Sequence, residues 1–151
     1  MATTDLNRFA MTRAVWRGDR IMHVRAFAFA GPARLRRLGV RTAIGYSKCG
    51  SGPTPDWVTA LRLLTWDGAK WRVVREESGL GPAEKDQVRW LDLDGLETTA
   101  LQIEATECGV DGGWTGWNLV SDAFTLEGEA PEKSFASDTR LELVELSLIH
   151  I

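Results

Sequence analysis

Apolar residues recur at every second position along most of the chain, and no apolar repeat of 3.6 residues persists for ten residues. A period of two is the signature of strands with one buried face, so helices can supply little of the fold. Residues 20–30 form a first run of branched, aromatic and small residues, bounded by Gly18-Asp19 and Gly31-Pro32. Residues 34–44 form a second, entered from that Gly-Pro turn. Residues 58–66 and 70–75 flank Asp67-Gly68, a pair that tolerates positive φ and predicts a tight hairpin. Further short strands are expected at 88–91, 98–105 and 119–127. Loops are expected at 45–56, 78–86 and 107–118. Turn signals at this spacing predict an all-β fold, an antiparallel jelly-roll-like β-sandwich of about eight strands.

Length and composition agree with a single globular unit. The chain has 151 residues, 44% hydrophobic and 26% charged, enough for one domain with its own core. The division expected is a flexible segment at 1–15, the sandwich at 16–128 and a linker at 129–139. Charge is uneven: residues 1–48 carry ten Arg and Lys against Asp5 and Asp19, and the remainder is acidic in balance. Arg34, Arg36 and Arg41 interleave with Leu35, Leu38 and Val40, as on the solvated side of a strand, so no nucleic-acid partner is expected. No apolar stretch reaches the roughly 18 residues of a membrane span, so no membrane partner is expected either. Residues 1–20 contain no continuous apolar core of secretory type. The compartment stays open, with an extracytoplasmic location as the working expectation.

Residues 140–145 read as the start of a further, truncated strand. Beyond them, Leu146-Ser147-Leu148-Ile149-His150-Ile151 has a back-translation, CTGTCTCTTATACACATC, that matches the transposase mosaic end used in sequencing adaptors. The expectation is that these six residues are translated adaptor, and that any catalytic domain lies outside the fragment.

Signatures of catalysis are missing from the sequence. His23 is the single histidine before the tail, and it falls in an expected strand. There is no Gly-x-Ser-x-Gly, no phosphate-binding glycine loop and no His-Glu-x-x-His. The two cysteines, Cys49 and Cys108, lie in glycine-containing stretches and are too few for a disulfide scaffold or a metal cluster. Asp92, Asp94 and Asp111 are the candidates for a structural calcium by composition, but Asp94-Gly95 reads first as a turn and Asp111 as a polar loop contact, and no cofactor is expected.

Seven tryptophans in a chain of this length stand out. A tryptophan offers a large flat apolar surface with one donor, suited to the apolar faces of pyranose rings. Trp66, Trp71 and Trp90 belong to strands and are expected to pack structurally. Trp114 and Trp117 sit among glycines in an expected loop, and Trp57 follows Pro55-Asp56. Trp57, Asp111, Trp114, Trp117 and Asn118 are therefore the candidate ligand-binding residues, with the rings stacking and the acid and amide reading hydroxyls.

Residues 61–74, Leu-Arg-Leu-Leu-Thr-Trp-Asp-Gly-Ala-Lys-Trp-Arg-Val-Val, resemble the hairpin of galactose-binding-like domains of the discoidin and coagulation-factor C type. Residues 33–40 resemble their strand before the long loop, 99–105 a later strand, and 116–124 the closing strand of accessory domains in carbohydrate-active enzymes. The resemblance spans about residues 20–128. It implies a sandwich whose end loops bind sugar, phospholipid or protein. The function expected is a non-catalytic, carbohydrate-binding-like accessory module of a larger protein, a glycoside-processing enzyme. The alternative is a structural or interaction sandwich packed on a neighbouring domain.

Overall fold

The computed structural model describes residues 2–46, 53–81, 87–109 and 117–131. Nine strands are present among them: β1 (Ala2–Asp5), β2 (Ala10–Arg17), β3 (Arg20–Val40), β4 (Ala43–Tyr46), β5 (Pro53–Asp56), β6 (Val58–Trp66), β7 (Trp71–Glu77), β8 (Arg89–Cys108) and β9 (Phe124–Ala130). A 3₁₀ turn, Asn7–Phe9, and one short helix, α1 (Trp117–Asp122), complete the described elements. Every pairing is antiparallel.

The strand order is β1-β9-β3-β8-β6-β7, with β2 also on β3 and β4-β5 as a separate ribbon. Two strands of 21 and 20 residues, β3 and β8, run through the whole assembly. The opening stretch of β3 lies between β2 and β8, and its closing stretch lies between β9 and β8. Register slips between Ala28 and Ala33, and again between Leu35 and Arg37. Such bulges bend a strand sharply.

The bend doubles the sheet back on itself. Thr12 is paired with Arg25, whereas Val40 is paired with Phe124 just after α1. In a straight strand residues 25 and 40 would lie roughly 50 Å apart at about 3.3 Å per residue. Yet the hydroxyls of Thr12 and Ser121 of α1 meet at 2.7 Å. The two halves therefore face each other as a sandwich, bent strands at one end and α1 across the open end.

Alternation places the core between the layers. Phe27, Phe29, Leu101 and Ile103 face Leu35, Leu38 and Leu126 in one cluster. The intervening Ala26, Ala28 and Ala100 point to the other side of the first layer, under Met11, Trp66 and Trp71. Small residues are needed there because those three large side chains close over them.

Several expectations are corrected. The segment 1–15, expected to be flexible, forms β1, the 3₁₀ turn and most of β2, with Leu6 and Phe9 buried in the core. Residues 20–30 and 34–44 give one bent strand over most of their length, as do 88–91 and 98–105. The strand expected at 119–127 begins instead as α1 and becomes β9 only at Phe124. The Asp67-Gly68 hairpin forms as read, Gly68 taking φ of 95°.

Candidate functional site

The open end of the sandwich gathers several tryptophan-bearing segments. Val58 opens β6 opposite Cys108, so Trp57 stands beside Gly109, where the chain leaves β8. The Gly109 N–H donates to the Trp57 carbonyl at 2.8 Å. A methyl group on Gly109 would overlap the Trp57 indole, so the ring lies directly on the glycine backbone. Trp57 is half-buried, and its own N–H is held by the buried Asp56 carboxylate at 2.8 Å.

Trp16 lies at the same end. It pairs with Ile21 beside the Gly18 hairpin turn, and the two are 66% and 51% exposed. Continuing the β3–β8 register three residues past Val24 and Glu104 brings Ile21 level with Glu107. Trp16 and Trp57 thus bracket the exit of β8, on strands three spacings apart, roughly 14 Å at about 4.8 Å per strand. At the same end α1 packs on β2, β3 and β4.

Of the candidate ligand residues, Trp57 is placed at this end. Trp117 and Asn118 open α1, which places their backbone at the same end. Asp111 and Trp114 lie outside the described residues. Trp16 was not singled out from the sequence. Its signal was the strand 10–17 running into Gly18-Asp19, obscured by reading residues 1–15 as frayed.

The tryptophans expected to be structural are packed. Trp66 and Trp71 meet edge to face, centroids 5.5 Å apart at 67°. Trp90 lies 3.7 Å beneath the Arg37 guanidinium, which also clamps Glu127 at 2.6 and 3.3 Å. That clamp pulls the Glu127 carboxyl below its usual range and raises Arg37. Beside Trp66, a groove of about 410 Å³ is lined by Pro32, Asp67, Glu97, Thr98 and Thr99 at the bent end. Asp67 is committed to its turn: the N–H groups of Lys70 and Ala69, then Arg72, hold its pKa at about 2.

Asp92 and Asp94 behave as turn residues. The Asp92 carboxylate accepts the Asp94 N–H at 2.9 Å, and Asp94 and Gly95 take φ of 53° and 74°. Among the described residues no group of three His, Cys, Asp or Glu side chains is placed to hold a metal ion. Cys108 is buried at the end of β8, and Cys49 lies outside the described residues. His23 is half-buried on β3.

No protein-family model and no curated protein matches the chain. Among solved structures, it is similar to CBM32-3 from a family 31 glycoside hydrolase of Clostridium perfringens. The likeness covers 83% of this chain and 77% of that one, at 12% identity and a TM-score of 0.47.

Proposed function

We propose that the chain is a non-catalytic carbohydrate-binding module that serves a larger glycoside-processing protein, with its ligand site at the open end of the sandwich. The observation that carries this reading is the exposure of Trp16 at 66%, with half-buried Trp57 on the other side of the β8 exit. Exposing most of an indole in water forgoes one of the larger burial gains a side chain offers. Trp57, Trp114 and Trp117 stack on sugar rings in this reading, while Asp111 accepts from hydroxyls and Asn118 both donates and accepts. Strands β5 and β6 hold Trp57 from both sides, so little order is lost there on binding. A shallow site of this kind is weak alone and gains from tethering to an enzyme.

Tryptophan fluorescence of the chain, titrated with mono- and oligosaccharides, tests the proposal. A saturable change that is lost in Trp16→Ala, Trp57→Ala or Trp114→Ala supports it. A folded chain that gives no change across the panel sinks it.

A second reading has its own support. Val73 and Val74 are 49% and 46% exposed on β7, which is paired only with β6 among the described residues. An edge strand with two exposed valines suits a sandwich that packs on a neighbouring domain. In that case Val73→Lys with Val74→Lys weakens the docking and leaves sugar titrations unchanged.

A further inference from the structure

A row of charge crosses the outer face of the first layer. Arg13 pairs with Val24, Val24 with Glu104, Glu104 with Arg62, and Arg62 with Glu76. Directly paired residues share a face, so one rung across five strands carries arginine, valine, glutamate, arginine and glutamate side by side. The middle of this row is deeply placed: Glu104 is 1% exposed although it faces away from the main core.

Its contacts form a chain. The Arg62 Nη2 donates to Glu104 Oε1 at 2.9 Å, and Gln102 Nε2 donates to Glu104 Oε2 at 3.1 Å. The Arg13 Nη2 donates to Gln102 Oε1 at 2.9 Å, and its guanidinium lies 5.8 Å from the Trp71 ring centroid. Donors on this face, among them Arg62 Nε and Trp71 Nε1, are buried without an acceptor. A buried ion pair adds little net stability over an apolar pair of the same size, because desolvation offsets the attraction. Unsatisfied buried donors are a cost as well. Stability alone does not account for this row.

At the β6–β7 end the row opens into a groove of about 550 Å³ lined by Arg62, Glu76, Ser78, Thr106 and Ala60. Its charges are largely spoken for. Arg62 is compensated by Glu104, and Arg75 by Glu77 at 2.7 Å. Glu76 leaves the rim slightly negative, which disfavours phosphates and other anions. What the rim offers a ligand is hydroxyls, a carboxylate acceptor and a guanidinium edge, a set that matches adjacent hydroxyl groups acting as both donors and acceptors.

We propose that this groove, on the outer face of the first layer, is a second ligand site, which takes a neutral polyhydroxylated ring: one ligand hydroxyl accepts from the part-exposed Arg62 guanidinium head while its neighbour donates to Glu76. The site does not depend on the open-end reading, since none of its residues belongs to that end's set.

The test is a nitrogen–proton correlation spectrum of the full chain, including the arginine side-chain Nε–Hε signals. The probes are D-galactose, D-mannose, D-xylose and myo-inositol at millimolar concentration. A saturable movement of the Arg62 Nε–Hε, Ser78 and Thr106 signals with at least one probe is expected. Glu76→Gln and Thr106→Val, both at the rim, should weaken it tenfold or more, and Trp57→Ala should leave it intact. No movement at these residues with any of the four probes, in a chain whose spectrum is that of a folded protein, overturns the proposal. So does a movement that both rim variants retain within twofold. Failure of the open-end reading looks different: the fluorescence titration is flat while the groove signals still move.

Discussion

Breaking the Arg62–Glu104 pair should cost very different amounts depending on which partner is removed. Arg62→Met removes the cation from a carboxylate that is 1% exposed and leaves its charge buried. Loss of one partner of a buried pair costs about 3–5 kcal/mol. Glu104→Gln strands a guanidinium that is 35% exposed, and its head can turn towards the groove and be hydrated. The loss there is that of one charged hydrogen bond with solvent compensation, about 1–2 kcal/mol. Urea unfolding followed by circular dichroism measures both, and a gap of about 2 kcal/mol is expected, Arg62→Met being the less stable. At about 2–4 °C per kcal/mol for a chain of this size, the two melting temperatures should separate by several degrees. Arg62→Met combined with Glu104→Leu removes both charges, and should recover to within about 1 kcal/mol of the parent. Equal losses in the single variants, or a double variant as unstable as Arg62→Met, would refute the argument that burial of Glu104 sets the cost.

Three other outcomes follow from the same structure. Gly109→Ala drives a methyl into the Trp57 indole, so it should cost about 1–3 kcal/mol and shift the tryptophan emission, both read in one fluorescence-detected melt. Phe27→Ala in the centre of the sandwich should lose about 3–5 kcal/mol, against about 0.5 or less for Val73→Ser on the exposed edge, by the same urea titration. Asp67 has its pKa lowered from 3.8 to about 2 by the Lys70 and Ala69 N–H groups and Arg72. The unfolded chain therefore takes up its proton first as pH falls, so this contribution is full above about pH 4 and lost on the way down to about pH 2. The melting-temperature advantage over Asp67→Asn should fade across that window, and an advantage independent of pH would contradict it.

The fold was legible where local chemistry and tertiary structure ask for the same thing. Asp67-Gly68 is a turn by its own conformational preference, and the β6–β7 hairpin appears where expected. Gly31-Pro32 and Asp94-Gly95 carry the same kind of signal, yet they sit inside β3 and β8. Both fall where register slips, so the N–H that Pro32 lacks and the positive φ of Asp94 and Gly95 are absorbed by bulges rather than by loops. Nothing in a short window separates the two uses. The first strands were missed because Ala2–Asp5 holds no large apolar residue and Ala10–Arg17 breaks its alternation with Thr12, Arg13 and Ala14, while the buried Leu6 and Phe9 lie in the turn between them. The candidate site was only partly legible: Trp57 comes from a loop signal, whereas the exposure of Trp16 depends on how β2 overhangs the open end.

The pairing of Ala2 with Ala130 has a mechanical consequence. The first and last described strands lie side by side, with Ala2 and Ala130 at the same end of the pair. Tension applied through both ends would load β1 and β9 from the same side, so their four rungs open successively, as a zip does, and never bear the load together. A tethered module would yield β1 first under modest force, while β3 and β8, threaded through both layers, hold the remaining sandwich as one body.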